Sequence, residues 1–131
     1  MLINVSNHPS ALWPSPETAA AVQEYGSVID YPFPNIDPEA QTGDIREMAL
    51  HARDEICAMF QRKEGEAQNA VLCQGEFTFA HALTTLLQQE GIPVVAATTQ
   101  RITKEYVEDG VPKKESVFQF VQFRQYPNMT K

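Results

Sequence analysis

Three short polar stretches carry most of the side chains able to move a proton or hold an anion: Ser6-Asn7-His8-Pro9-Ser10, Gln74-Gly75-Glu76-Phe77-Thr78 and Thr98-Thr99-Gln100-Arg101. His8 can serve as general acid or base, or act only as a capping or surface residue of its loop. Gly75 before a helix start brings free backbone amides toward an anion, or makes an ordinary strand-to-helix turn capped by Thr78. Glu76 in that turn repels phosphate, yet it can accept a hydrogen bond from a ribose or amine or serve as a base. Arg101 and Arg124 are the cations suited to phosphate, whereas Lys113 and Lys114 fit a solvated hairpin tip. Trp13 either stacks on a base or anchors the first loop to the core.

These stretches matter because of the elements that precede them. Leu2 to Val5, Ser27 to Tyr31, Ala70 to Cys73 and Ile92 to Ala97 read as apolar strands. Between them fall three helices. The first starts at Ser15-Pro16, a capping hydroxyl with proline at the first helical position, and stops at Gly26. The second starts near Asp44, with Glu47 as a capping-box partner, and carries Ile45, Met48, Ala49, Ala52, Ile56, Met59 and Phe60 at helical spacing. The third places Phe79, Leu83, Leu86 and Leu87 on one face and closes at Gly91. PFPNIDP forms a stiff extended connection, and RKEGEAQN a charged turn. Beyond Arg101 the period changes to two. Ile102 to Glu108, the Asp109-Gly110 turn and Ser116 to Arg124 predict a β-hairpin, with Pro112 and the two lysines asking for a loop longer than two residues.

Strands alternating with helices predict an α/β, three-layer Rossmann-like sandwich, with a mainly parallel sheet and the hairpin at its edge. In such sheets ligands sit beyond the carboxyl ends of the strands, where the strand order reverses. That rule selects the three polar stretches as one site. The candidates are His8 and Glu76 for proton transfer, and Asn7, Ser10, Gln74, Gly75, Thr78, Thr98, Thr99 and Arg101 for ligand binding.

Composition sets the outer bounds. A chain of 131 residues with 43% hydrophobic and 21% charged residues fits one packed domain over 1–131 rather than a disordered or coiled-coil chain. No apolar run approaches the roughly 18 residues of a membrane span, and the N-terminus does not read as a signal peptide, so a cytoplasmic protein is expected. The net charge of −7 weighs against long nucleic acids and anionic membranes as partners. It is unevenly placed: Met1 through Asp44 holds six acids and no Lys or Arg, while Arg101 to Lys131 holds six bases against four acids. Cys57, Cys73 and three scattered histidines show no metal-ligand spacing, and the two cysteines read as buried thiols. There is no GxGxxG, GxxxxGK[ST], GxSxG or HExxH, and no cofactor is expected.

NHPS after the first strand, PFPNIDP after the second, QGEFTF entering the third helix, and VVAATT followed by a hairpin ending FVQFRQY together resemble a group of small CRISPR-associated proteins of Rossmann-like, CARF type. That group includes standalone ring nucleases of type III systems. The resemblance spans nearly the whole chain and implies a homodimer that binds a cyclic oligoadenylate second messenger across its two-fold axis. It also implies cleavage without metal: a ribose 2′-hydroxyl attacks the adjacent phosphorus in line, leaving a 2′,3′-cyclic phosphate. Intramolecular positioning of that kind is worth roughly 7–11 kcal/mol. On this sequence the amides near Gly75 and the side chains of Ser10, Thr78, Thr99 and Arg101 would then hold phosphates, with His8 as proton carrier. Two departures stand out: the N-terminal third has no basic residue, and Glu76 occupies the anion turn. The alternatives are a module that senses or sequesters a nucleotide without turnover, and an acidic domain that engages a basic protein.

Overall fold

The structure, a computed structural model, describes residues 1–61 and 68–129. The element order is β1 (Leu2–Val5), a short 3-10 turn (Ser10–Leu12), α1 (Ser15–Tyr25), β2 (Val28–Asp30), α2 (Thr42–Gln61), β3 (Ala70–Cys73), α3 (Phe77–Gln89), β4 (Val94–Glu108) and β5 (Val111–Gln125). One five-stranded sheet runs β2-β1-β3-β4-β5, parallel except for the antiparallel β4–β5 pair at the edge. It is the expected α/β Rossmann-like sandwich.

The period of two along the strands sorts their side chains between two cores. Met1, Ile3, Val5, Val71, Cys73 and Val94 face α2 and α3, against Ile45, Ala49, Ala52, Ile56, Phe60, Phe79, Leu83 and Leu87. Leu2, Ala70, Leu72 and Val95 belong to the opposite face, where Ala21 of α1 packs with Trp13 and Phe123. Helices on both faces therefore bury strands that carry almost no polar residue. Asn4 is the one buried polar side chain among the described residues.

Several local signals resolve differently from the sequence reading. No side-chain cap starts α1: Ser15 is already helical and Pro14 takes the cap position in extended backbone, while Gly26 ends the helix at φ 86°. Helix α2 starts two residues before Asp44, and the Asp44 carboxylate accepts from the Gln41 amide at 3.0 Å, the first-turn role that the sequence reading gave to Glu47. Cys57 is only half-buried. Of the charged turn expected over 62–69, residues 62–67 lie outside the described part of the chain.

The largest correction concerns the fourth strand. Thr98 to Arg101 form no loop; β4 runs unbroken from Val94 to Glu108, because the β-branched threonines pair with β5. Only Val94 and Val95 have β3 beside them, so from Thr98 outward β4 and β5 form a free two-stranded arm. A bulge marks its root. Thr98 pairs with Gln122 and Thr99 with Phe120, leaving Val121 as the extra residue. At the tip, Asp109 at φ 52° and Gly110 at φ 75° make the expected Asp-Gly turn, of primed type and two residues long, without the longer loop that Pro112 and the lysines asked for. Pro112 is tolerated opposite Val107 because the ribbon has no third strand to receive its missing N–H.

Candidate functional site

The sheet changes winding direction between β1 and β3: the crossover through α1 leads to β2 on one side of β1, and the crossover through α2 leads to β3 on the other. The loops after β1 and β3 are therefore neighbours on the carboxyl rim, joined where the Gln74 amide donates to the Val5 carbonyl at 3.1 Å. The arm leaves the sheet on the same rim. The Ala97 amide donates to Gln74 Oε1 at 2.6 Å, which spends this glutamine on fastening β4 to the end of β3.

The first loop is held from below. Asn4 Nδ2 donates to the His8 carbonyl at 2.9 Å and to Asp30 Oδ1 at 3.0 Å, while Ser6 Oγ donates to Asn4 Oδ1 at 2.7 Å. Trp13 Nε1 donates to the same His8 carbonyl at 3.0 Å, and the Ser10 amide donates to both Asp30 oxygens at 3.2–3.3 Å. With 9% exposure and its ring 6.2 Å from that of Phe123, Trp13 anchors the loop rather than offering a stacking face. Two donors on its carbonyl, and the Ser6 hydroxyl that accepts from its amide at 3.2 Å, thus fix the His8 backbone while the side chains of Asn7 and His8 stay exposed. Glu17 stands within electrostatic reach of His8. Burial raises its carboxyl above the ordinary carboxylate range, and the imidazolium charge opposes that rise.

The second loop is closed upon itself. Glu76 is the N-cap of α3: its carboxylate accepts from the amides of Thr78 at 3.1 Å and Phe79 at 2.9 Å, and from the Thr78 hydroxyl at 2.6 Å. The Thr78 hydroxyl, the Phe79 amide and the Thr78 amide hold the Glu76 carboxyl below its ordinary range. The first-turn amides that would receive a phosphate therefore already hold an anion, and Thr78 is a donor to the cap instead of the cap itself. Gly75 is equally committed. A Cβ built on it would lie 2.4 Å from the edge of the Phe33 ring, which packs edge-on against Phe79 at 5.3 Å between centroids. The connection after β2 thus lies over this turn.

Of the ligand-binding candidates, Asn7, Ser10, Gln74, Gly75, Thr78 and Thr98 gather at the rim, and His8 and Glu76 with them. Thr98 seals the bulge, its hydroxyl donating to the Gln122 carbonyl at 3.1 Å. Thr99 lies in the arm just beyond the bulge, and Arg101 lies about 10 Å beyond Thr98 by strand rise, its guanidinium donating to Ser116 Oγ at 3.2 Å. Arg101 is not brought to the two loops. Sequence reasoning missed Asn4, Asp30 and Glu17. Asn4 carried a signal as the sole polar residue in an apolar strand; Asp30, at the carboxyl end of the second strand, carried a weaker one.

Elsewhere, Cys73 is buried, which pushes its thiol up to about 11. Among the described residues no cluster of His, Cys, Asp and Glu is arranged to hold a metal, and no helix is long and apolar enough to cross a membrane. Grooves of about 560 and 580 Å³ flank α3 at Phe77 and His81, and Thr78 of the second loop lines the first of them.

Fold and rim define a doubly wound α/β protein with a polar loop pair at its switch point. A family model described as uncharacterized protein MJ1673 family matches residues 1–124, and the chain belongs to that family. No curated protein and no solved structure matches it.

Proposed function

We propose that the carboxyl rim binds a cyclic oligoadenylate and that the protein opens the ring without a metal, by in-line attack of a ribose 2′-hydroxyl. The observation that carries this reading is the first loop: His8 is exposed beside Glu17 on a backbone whose carbonyl is held by Asn4 and Trp13, at the switch point where α/β sheets take their ligands. The loop positions an imidazole that can take the proton from the attacking hydroxyl or give one to the leaving oxygen. Alignment of the ring supplies the rest of the acceleration, because nucleophile and phosphorus belong to one ligand.

The experiment is incubation of the purified protein with cyclic tetra- and hexa-adenylate in EDTA, with products separated by chromatography. Linear products ending in a 2′,3′-cyclic phosphate are expected. Rings left intact after many enzyme equivalents reject catalysis.

A second reading, binding without turnover, draws on Glu76. Its carboxylate fills the α3 terminus, which leaves fewer donors for the charge that develops on a phosphorus centre. Calorimetry separates the two: saturable binding with no product supports sequestration, and absence of binding removes both.

A further inference from the structure

The β4–β5 arm rises from the carboxyl rim beside the two loops, and its two faces differ in composition. Residues paired across the ribbon share a face, and the face alternates with each step along a strand. On the face that continues from Phe123, the three pairs nearest the body are Thr99 with Phe120, Arg101 with Phe118, and Thr103 with Ser116. They supply a guanidinium, two aromatic rings and three hydroxyls, and no carboxylate. The first acid on this face is Glu105, and Lys114 neutralises it at 3.6 Å. Over the same length the other face carries Gln100 with Gln119, Ile102 with Val117, and Lys104 with Glu115. In a chain of net charge −7, the Thr99–Thr103 section is therefore a place where an anion meets a cation and no acid of the same face.

A chain of aromatic contacts joins this face to the first loop. Trp13, whose Nε1 donates to the His8 carbonyl at 3.0 Å, has its ring 6.2 Å from that of Phe123, and Phe123 lies 5.0 Å from Phe120. Phe118 is the next ring outward, about 7 Å farther by strand rise. Unlike Trp13 it is 72% exposed, and among the described residues no ring or cation stacks on it. Its cross-strand partner Arg101 turns toward Ser116 Oγ, 3.2 Å away, and pairs with no carboxylate among the described residues. An open ring beside an unneutralised guanidinium and hydroxyls is the combination that holds single-stranded nucleotides: the ring stacks on a base, and the polar groups meet the backbone phosphate.

We infer that the arm is the second half of the nucleotide site, with Phe118 as the stacking platform for one base and Arg101, Thr103 and Ser116 as donors to the adjoining phosphate. A ligand of several nucleotides reaches from this platform to His8. The inference rests on the rim reading above and adds to it the residues that grip a base. It also gives Arg101 a part although the two loops do not reach it.

The test is rapid-mixing filter binding of labelled cyclic tetra-adenylate to the full chain, read before product forms, with circular dichroism to confirm folding. Phe118→Ala and Phe118→Leu are expected to bind at least roughly tenfold more weakly than wild type, the loss that removal of a stacked ring brings. Phe118→Trp should keep wild-type affinity, and its fluorescence should be quenched by the ligand well beyond that of wild type, whose sole tryptophan is buried. A wild type that binds, with a folded Phe118→Ala binding as tightly, overturns the platform and leaves the rim reading standing. Wild-type affinity in Phe118→Leu overturns it as well, by showing that apolar contact without a ring suffices. A wild type that does not bind the ring at all overturns both readings together.

Discussion

The two loops at the switch point treat their polar groups in opposite ways. After β1, the hydrogen bonds run from the core outward to the His8 carbonyl and Asp30, so the backbone is rigid and the side chains of Asn7 and His8 face solvent. After β3, the loop consumes its own capacity: Glu76 caps α3 and Phe33 covers Gly75. A loop satisfied from beneath can offer groups to a ligand, whereas a loop satisfied from above is structural. The comparison leaves the first loop with side chains to offer and gives the second a structural part.

The largest effect is expected where the second loop is tightest. Gly75→Ala forces the Phe33 ring off its contact with Phe79 and should destabilise the protein by about 3 kcal/mol in denaturant unfolding. Combined with Phe33→Ala the loss should be markedly less than additive; full additivity would show that the ring is not what excludes the methyl group. Asn4→Ala comes next. It takes from the Ser6 hydroxyl its acceptor and from the His8 carbonyl and Asp30 one donor each, so about 2 kcal/mol is expected, together with faster amide exchange through Asn7 and His8. Unchanged exchange in this loop would break the claim that it is held from below.

Glu76→Gln is expected to have a smaller effect, confined to stability. The native carboxyl is held below its unfolded value, so the cap stabilises above the ordinary carboxylate range and is lost as pH falls through the lower native value. Thermal melts of the variant should therefore sit below wild type near neutrality and converge with it in acid. A constant offset at every pH would refute the sign. His8→Ala should change stability least, within about 0.5 kcal/mol, because the side chain is exposed. If the ring is opened, this variant should slow turnover while leaving affinity nearly intact; an equal rate removes His8 from the chemistry.

Much of the fold was legible because its signals are local. The apolar run Leu2 to Val5, the helical spacing from Ile45 to Phe60 and the stops at Gly26 and Gly91 each report burial or backbone geometry within a few residues. The errors arose where distant partners decide. Thr98 to Arg101 look like a polar loop because they are polar, but pairing with Thr98's partner Gln122 and its neighbours makes them strand. Glu76 looks like an obstacle to anions until the α3 amides are seen to be its own partners. Asp30 gave little sign of its role, since the groups it receives, Asn4 and Ser10, lie twenty or more residues away.

The order of residues by itself determined the layers, the parallel strands and the set of polar turns, because alternation of apolar strand and amphipathic helix admits few ways to bury both sheet faces. Which of those turns stays open was settled only by tertiary contacts. Whether a side chain is a cap, an anchor or an available acid depends on hydrogen-bond partners far along the chain. Residue type gives the capacity for a bond and not its destination.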